Sequence, residues 1–291
     1  MTPLRKRMIE ELQLRNLSPR TKESYVSAVE RFARYCHQSP ERLGPEQVRQ
    51  YLLHLINDHH VCTNTVLFQR AALRFLYVST LKQKWFDDEI ARPKRRRTLP
   101  GILSVEEVTR ILDHTHNLKH WTMLATFYAT GLRCNELRHL KLSDLDSQKM
   151  VLHVREGKGG VPRDIPLSAP LLERLRIYYR RCKPTDWLFP SKQRRDQPLD
   201  DNSIRALCRS AGGRAGIKHL VHPHLFRHAC ATHMLDAGAD LRTIQVLLGH
   251  ADIRTTAKYL RVSLKRLHAA PSPFDALPLQ PVEYSADGRR R

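Results

Sequence analysis

Apolar residues recur at helical spacing along most of the chain, and the first 90 or so positions show no other pattern. Ser18-Pro19 reads as an N-cap and first helical position before a run that puts Tyr25, Val29 and Phe32 on one face. Gly44-Pro45 opens a second helix carrying Val48, Tyr51, Leu52 and Leu55. A third runs from about Thr63 to Leu81, with Val66, Leu67, Ala71, Phe75 and Val78 at the same spacing. The pattern then breaks. Ala91 to Pro100 (ARPKRRRTLP) is basic, proline-bounded and without periodicity, and reads as an interdomain linker. Ser104-Val-Glu-Glu107 is a capping box followed by Val108, Ile111 and Leu112, so a second domain begins here. Helical patterning continues through roughly 120–142. It gives way to two strand-like runs, 150–155 and 161–167, joined by Gly157-Lys-Gly-Gly160, which predicts a β-hairpin. Pro162 and Pro166 confine its second strand to an edge. Helices resume at about 170–181, 201–211, 223–236, 241–248 and 252–261. The stretch from Ala270 to Arg291 is rich in Pro and polar residues and is expected outside the core; no internal repeat is evident. The fold class is mainly α, with a small antiparallel sheet in the second domain.

Charge narrows the function classes. Fifty Lys and Arg against 29 Asp and Glu leave a formal charge of +21 and a pI near 10.2. That surplus calls for a polyanionic partner, nucleic acid or an acidic membrane face. No run of about 18 apolar residues predicts a transmembrane helix, and the N-terminus has no uninterrupted apolar stretch of a secretory signal. Nucleic acid is the better match, in a cytoplasmic, nucleoid-associated protein. Arg20, Lys22, Arg70 and Arg74 lie between the apolar positions of the N-terminal helices, and Lys94 and Arg95 lie in the linker. All six are candidates for phosphate contact, although a charge on a helix is more often a solvated face. A nuclear-import signal is the rival reading of the linker run. The six cysteines are never spaced C-x-x-C, which argues against a disulfide framework or zinc ribbon. They read as small buried hydrophobes of a reducing compartment.

Cutting a phosphodiester without a metal takes a nucleophile, cations on the non-bridging oxygens and an acid for the leaving oxygen. The second domain carries such a set. His224, Arg227 and His228 stand at i, i+3 and i+4, on one face of a helix opened by Pro223, whose free N–H groups favour an anion. Gly238 ends that helix, Leu241 to Leu248 form the next, and Gly249-His250 leaves His250 on a turn. Tyr259 follows nine residues later. His222, His224, His228, Cys230 and His233 also permit a zinc reading. Against it, Arg227 sets a fixed cation where the metal would sit, and no Cys/His pair at finger spacing lies nearby.

The stretch HPHLFRHACATHMLDAGADLRTIQVLLGHADIRTTAKYL (222–260) resembles the C-terminal signature of the tyrosine recombinase, or phage integrase, family, in its Xer and integrase-like members. That signature is H-x-x-R-H, then L-G-H, then a tyrosine about nine residues on. ATGLRCNELRHLKLSD (129–144) resembles the family's first-arginine box, and Gly157-Lys158-Gly159 its hairpin lysine. SPRTKESYVSAVERF and TNTVLFQRAALRFLYVSTL are similar to its core-binding domain. Departures are small: Phe226 replaces the usual Leu, and Leu-Arg-Val follows Tyr259 in place of Thr-His-Val.

The resemblance implies a SAM-like helical core-binding domain over 1–90, a basic linker over 91–100 and a larger α-rich catalytic domain over 101–268. A flexible tail, 269–291, would follow. It implies Tyr259 as nucleophile, Arg133 and Arg227 on the non-bridging oxygens and Lys158 as acid for the 5′-oxygen. His224 would serve as base or proton shuttle and His250 as hydrogen-bond donor to the phosphate, with Glu136 and His228 in support. Neither metal nor ATP is required. The implied partner is double-stranded DNA bearing specific recombination sites, engaged by a homotetramer or heterotetramer assembled on it, with no role for a membrane. A type IB topoisomerase, a non-catalytic DNA-binding relative and a metal-binding transcription factor are the competing expectations.

Overall fold

Prolines start three helices of the N-terminal unit: α1 (Pro3–Leu14), α2 (Pro19–Cys36) and α3 (Pro45–Asn57) each carry one in the first turn, where the missing N–H costs nothing. Thr2 and Ser18 cap the first two by accepting from the backbone N–H of Arg5 and Thr21. The computed structural model describes residues 1–86, 89–93, 101–155, 162–250 and 252–256. It divides into Met1–Thr98 and Leu99–Arg291.

In the first unit α4 (Thr63–Phe75) does not run on to Leu81 as an α-helix; it widens into a π-helical turn, Leu76–Thr80. The buried stripe is Val66, Gln69, Leu73, Leu76 and Tyr77, while Ala71 and Val78, expected inside, are exposed. The wide turn takes Tyr77 fully inside, where its hydroxyl donates to the carbonyls of Pro40 and Leu43 at 3.2 and 3.0 Å. That pins the end of the fourth helix to the α2–α3 connection. Helix α1, which the periodicity did not single out, buries only Met8 and Leu12, too few to mark an apolar face.

The second unit begins with α5 (Val105–Asp113), and its capping box forms as the sequence predicts. Ser104 Oγ accepts from Glu107 N at 3.2 Å, and Glu107 accepts from Ser104 N at 3.0 Å. Next come α6 (Leu118–Thr130) and α7 (Cys134–Arg138), then the strands β1 (Leu145–Asp146), β2 (Val151–Val154) and β3 (Arg163–Pro166). Helices α8 (Ala169–Cys182), α9 (Asp201–Arg214), α10 (Pro223–Asp236), α11 (Leu241–Leu248) and α12 (Ile253–Thr256) complete the described chain. The sheet is antiparallel in the order β1-β2-β3, so β3 with Pro166 is an edge. The sequence foresaw β2 and β3 but not β1, whose two residues are too few to show an alternation. The fold class is therefore the expected one, mainly helical with a small antiparallel sheet.

Helix α6 is the core of this unit, with Met123, Leu124 and Phe127 buried and α8 and α10 packed against it. Thr122, Thr126 and Thr130 satisfy their hydroxyls on the carbonyls four residues back, so the polar stripe costs no unpaired donor. The helix ends at Gly131, in the left-handed region at φ 60°, where an added Cβ would stand 2.6 Å from Leu248. The C-termini of α6 and α11 thus meet with no room for a side chain. Of the cysteines only Cys208 and Cys230 are buried; Cys36 and Cys134 are partly so, and Cys62 and Cys182 are exposed, which corrects the expectation of six core thiols. No described helix is long and apolar enough to cross a membrane.

Candidate active site

The last carbonyls of an α-helix have no partner inside it. At the C-terminus of α11 three consecutive ones are taken by arginines from elsewhere in the chain. Leu247 O accepts from Arg163 Nε at 2.7 Å, Leu248 O from Arg227 Nη2 at 2.5 Å and Gly249 O from Arg133 Nη2 at 2.8 Å. The negative end of the helix dipole favours this gathering of cations. Gly249 makes it possible: it turns the chain at φ 62°, and a Cβ there would lie 2.9 Å from Arg163 Nη1.

Each arginine is fixed a second time. Arg227, 2% exposed, also donates from Nη1 to Gly131 O at 2.7 Å, joining the ends of α6 and α11. Arg133 is the N-cap of α7 and Glu136 its N3 residue. The Glu136 carboxylate reaches back to accept from Arg133 N and Arg133 Nη1, both at 2.8 Å. Arg163 binds the same carboxylate in a two-pronged fork, Nη1 at 3.1 Å and Nη2 at 2.8 Å. Burial pushes the Glu136 carboxyl up, but the bonds from Arg163 and Arg133 outweigh it and bring it down to about 2. It stays a carboxylate at any working pH.

Pro223 opens α10 as expected, and His224 and His228 stack in its first turns with ring centroids 6.0 Å apart. His224 keeps an exposed edge, His228 is half-buried and Arg227 lies inside. Desolvation, then the charges of Arg227, His222 and Arg133, hold the His224 imidazole below its ordinary value. His250 sits on the turn after α11, its carbonyl accepting from Gln245 Nε2 at 3.0 Å and its Nδ1 2.8 Å from Thr256 Oγ1. Burial first, then Arg227, Arg133 and Arg163, push it down to about 4, so it is neutral at pH 7. The contact with Thr256 fixes the orientation of the imidazole ring.

The structure therefore gathers Arg133, Glu136, His224, Arg227, His228 and His250 into one cationic site. Lys158 and Tyr259 lie outside the described residues, as do Lys94 and Arg95. Sequence reasoning missed Arg163 and Gln245. A signal for the first was present: Arg163, Ile165 and Leu167 alternate onto one face, which sets a cation in a register that otherwise points inward. No group of three His, Cys, Asp or Glu among the described residues is placed to hold a metal.

In the N-terminal unit Arg20 is exposed and Lys22 partly so. Arg70 stacks over Trp85 at 5.3 Å and donates to Ile90 O at 3.3 Å, so it has a structural task of its own. With Arg74 and Arg92 it lines a recess of about 370 Å³ on α4.

Arginines and histidines gathered around one helix end, in a mainly helical unit, suit an enzyme of the tyrosine recombinase class. Residues 102–266 match the phage integrase family and residues 4–87 its N-terminal SAM-like domain; the chain belongs to this family. It is 44% identical over 279 residues to y4qK of Sinorhizobium fredii, whose name gives it as a provisional integrase/recombinase, covering 96% of this chain and 90% of that one. It is 39% identical over 187 residues to the tyrosine recombinase XerA of Pyrococcus furiosus, covering 63% and 65%. Its fold matches the XerH site-specific recombinase, crystallised with a palindromic difH substrate in a post-cleavage complex. The TM-score is 0.69 at 21% identity, over 90% of this chain and 82% of that one.

Proposed function

We propose that this protein cleaves and rejoins duplex DNA at specific sites through a covalent 3′-phosphotyrosyl link to Tyr259. The observation that carries the reading is the anchoring of Arg133 and Arg227 on adjacent carbonyls, Gly249 O and Leu248 O. Two guanidiniums held this way offer a preset grip for the non-bridging oxygens of one phosphate, with no reorganisation left for the moment of reaction. The family match supports it, as does the DNA-bound state of XerH, whose fold this chain shares.

In this reading the Tyr259 hydroxyl oxygen attacks phosphorus while the bond from phosphorus to the 5′-oxygen breaks. His224, held neutral by its surroundings, takes the tyrosine proton, and Lys158 gives one to the departing 5′-oxygen. His250 donates to a non-bridging oxygen, Glu136 orients Arg133, and His228 backs the His224 ring. One phosphate ester is exchanged for another, so the link keeps the energy of the broken bond. A 5′-hydroxyl from a second strand then reverses the step and frees Tyr259. The residues call for neither metal nor nucleotide cofactor. Residues 1–90 serve as the core-binding domain, with Arg20, Lys22 and Arg74 on backbone phosphates and Arg70 also bracing Trp85. Residues 91–100, with Lys94 and Arg95, link it along the DNA to the catalytic domain, 101–268, and 269–291 form a tail. Exchange between two duplexes engages four copies, in the cytoplasm at the nucleoid.

The test is a denaturant-resistant adduct. Wild type and Tyr259→Phe are incubated with sheared DNA in EDTA, and the protein-linked ends are sequenced. Adducts with wild type alone, clustered at one sequence, are the expected result. A Phe variant that still cuts overturns the mechanism, and salt-sensitive DNA binding without any adduct, even on a nicked substrate, points to a non-catalytic relative.

A further inference from the structure

The catalytic unit has a second cationic feature, which shares no residue with the arginine cluster. A recess of about 690 Å³ opens between the N-terminal half of α6, the end of α8 and the segment leading into α9. Lys119, Arg181, Lys183, Lys192 and Arg195 line it, and no carboxylate does. Of the acids nearby in sequence, Asp186 pairs with Lys141 at 3.1 Å, Asp201 pairs with Arg205 at 2.8 Å, Asp200 caps α9, and Asp196 is exposed and not part of the lining. Among the described residues none of the five cations has an ion-pair partner; Lys119 spends its ammonium on the carbonyl of Pro190.

The floor is apolar. Met123, Tyr178 and Leu207 are buried there, and Tyr178 donates its hydroxyl to Leu188 O at 3.0 Å, so only its ring faces the space. Like charges above an apolar floor repel more strongly than charges on an open surface. Burial pushes the Lys119 ammonium down, and Arg195 pushes it the same way. An anion entering the recess would relieve this repulsion, and five cations exceed what a single carboxylate neutralises. Three of the five, Lys183, Lys192 and Arg195, stand on one short segment, where a ligand presenting several anionic oxygens meets two ammonium groups and the forked donor of Arg195.

We infer that this recess is a second phosphate-binding site of the catalytic unit, taking phosphate groups other than the one to be cut. Two sources share that chemistry. One is the DNA backbone beside the cleavage point, which rests on the DNA-cutting reading above; the other is a free nucleoside polyphosphate.

The experiment compares Lys192→Gln/Arg195→Gln with a control that removes equal charge outside the recess, Arg110→Gln/Arg176→Gln. All four residues are exposed, and unchanged thermal melting verifies the fold of each variant. In a Tyr259→Phe background, duplex DNA affinity is measured from low to moderate salt, and ATP is titrated separately by calorimetry. If the site holds DNA, the slope of log affinity against log salt shrinks by about 2 in the recess variant and not in the control, at about 0.9 per lost phosphate contact. Heat from ATP that vanishes in the recess variant, with an unchanged slope, assigns the site to a free nucleotide. Equal slopes in both variants, together with ATP heat that is absent or is unchanged in the recess variant, overturn the inference. Adduct formation at saturating DNA with Tyr259 restored reports on the cleavage reading separately, because no recess residue belongs to the bond-breaking set.

Discussion

Arg163 occupies a strand register where an aliphatic side chain would be the ordinary choice, and its partner Glu136 is as buried as it is. Burying two charges costs several kcal/mol per ion before they meet, so such a pair adds little net stability over an apolar pair. Breaking it is another matter. Arg163→Gln leaves the Glu136 carboxylate with Arg133 alone, and a loss of about 3 kcal/mol is expected in urea unfolding of the catalytic unit. The pH dependence gives a second signature. Glu136 titrates at about 2 when folded against an ordinary 4.5, so its contribution is full above 4.5 and drains away as pH falls from there toward 2. In Arg163→Gln the folded value rises and the contribution that can be lost on acidification shrinks. Plotting the urea midpoint of both proteins from pH 7 to 3 checks this; superimposable curves would mean the pair does nothing for stability.

At the scale of the element, α11 is a holder whose backbone contacts outrank its side chains. Gly249→Ala forces an L-residue to φ 62°, worth about 1–2 kcal/mol, and sets a methyl against Arg163. We expect slower adduct formation and reduced stability, whereas Val246→Ala, at a position 55% exposed one turn earlier, changes neither. A Gly249→Ala protein that cuts at the wild-type rate would show that the turn can relax. The bounds of α10 and α11 were legible in the sequence because punctuation frames them: Pro223 opens one, and Asp240 and Gly249 bracket the other. The π-helical turn after Phe75 was not, since no residue type marks one widened turn, and Val78 faces out with Ala71, two turns earlier on the same side of the helix. The candidate residues were legible as motifs, and the common anchor of the arginines among them was not. Main-chain carbonyls at 247–249 have no side-chain signature, so nothing in the letters told that three arginines converge there.

At the scale of the molecule, the two units keep separate apolar cores. One cluster draws on residues between Met8 and Ile90, another on residues between Leu103 and Ala229, and no described cluster mixes them. Unfolding should then show two transitions. Phe32→Ala, a fully buried ring in the first, is expected to lower only one midpoint, and Phe226→Ala only the other, each by a cost of about 3–5 kcal/mol. A single transition displaced by either change would show that the halves unfold as one. The arginine anchor also has a bearing on synthesis. Arg133 and the carbonyl that holds it are 116 residues apart in the chain. A ribosome-bound chain that has released Arg133, and even Arg227, still lacks the helix end that aims them. In a half-made copy Arg133 therefore stands without the carbonyl that fixes it, and the site takes shape only once α11 has left the ribosome.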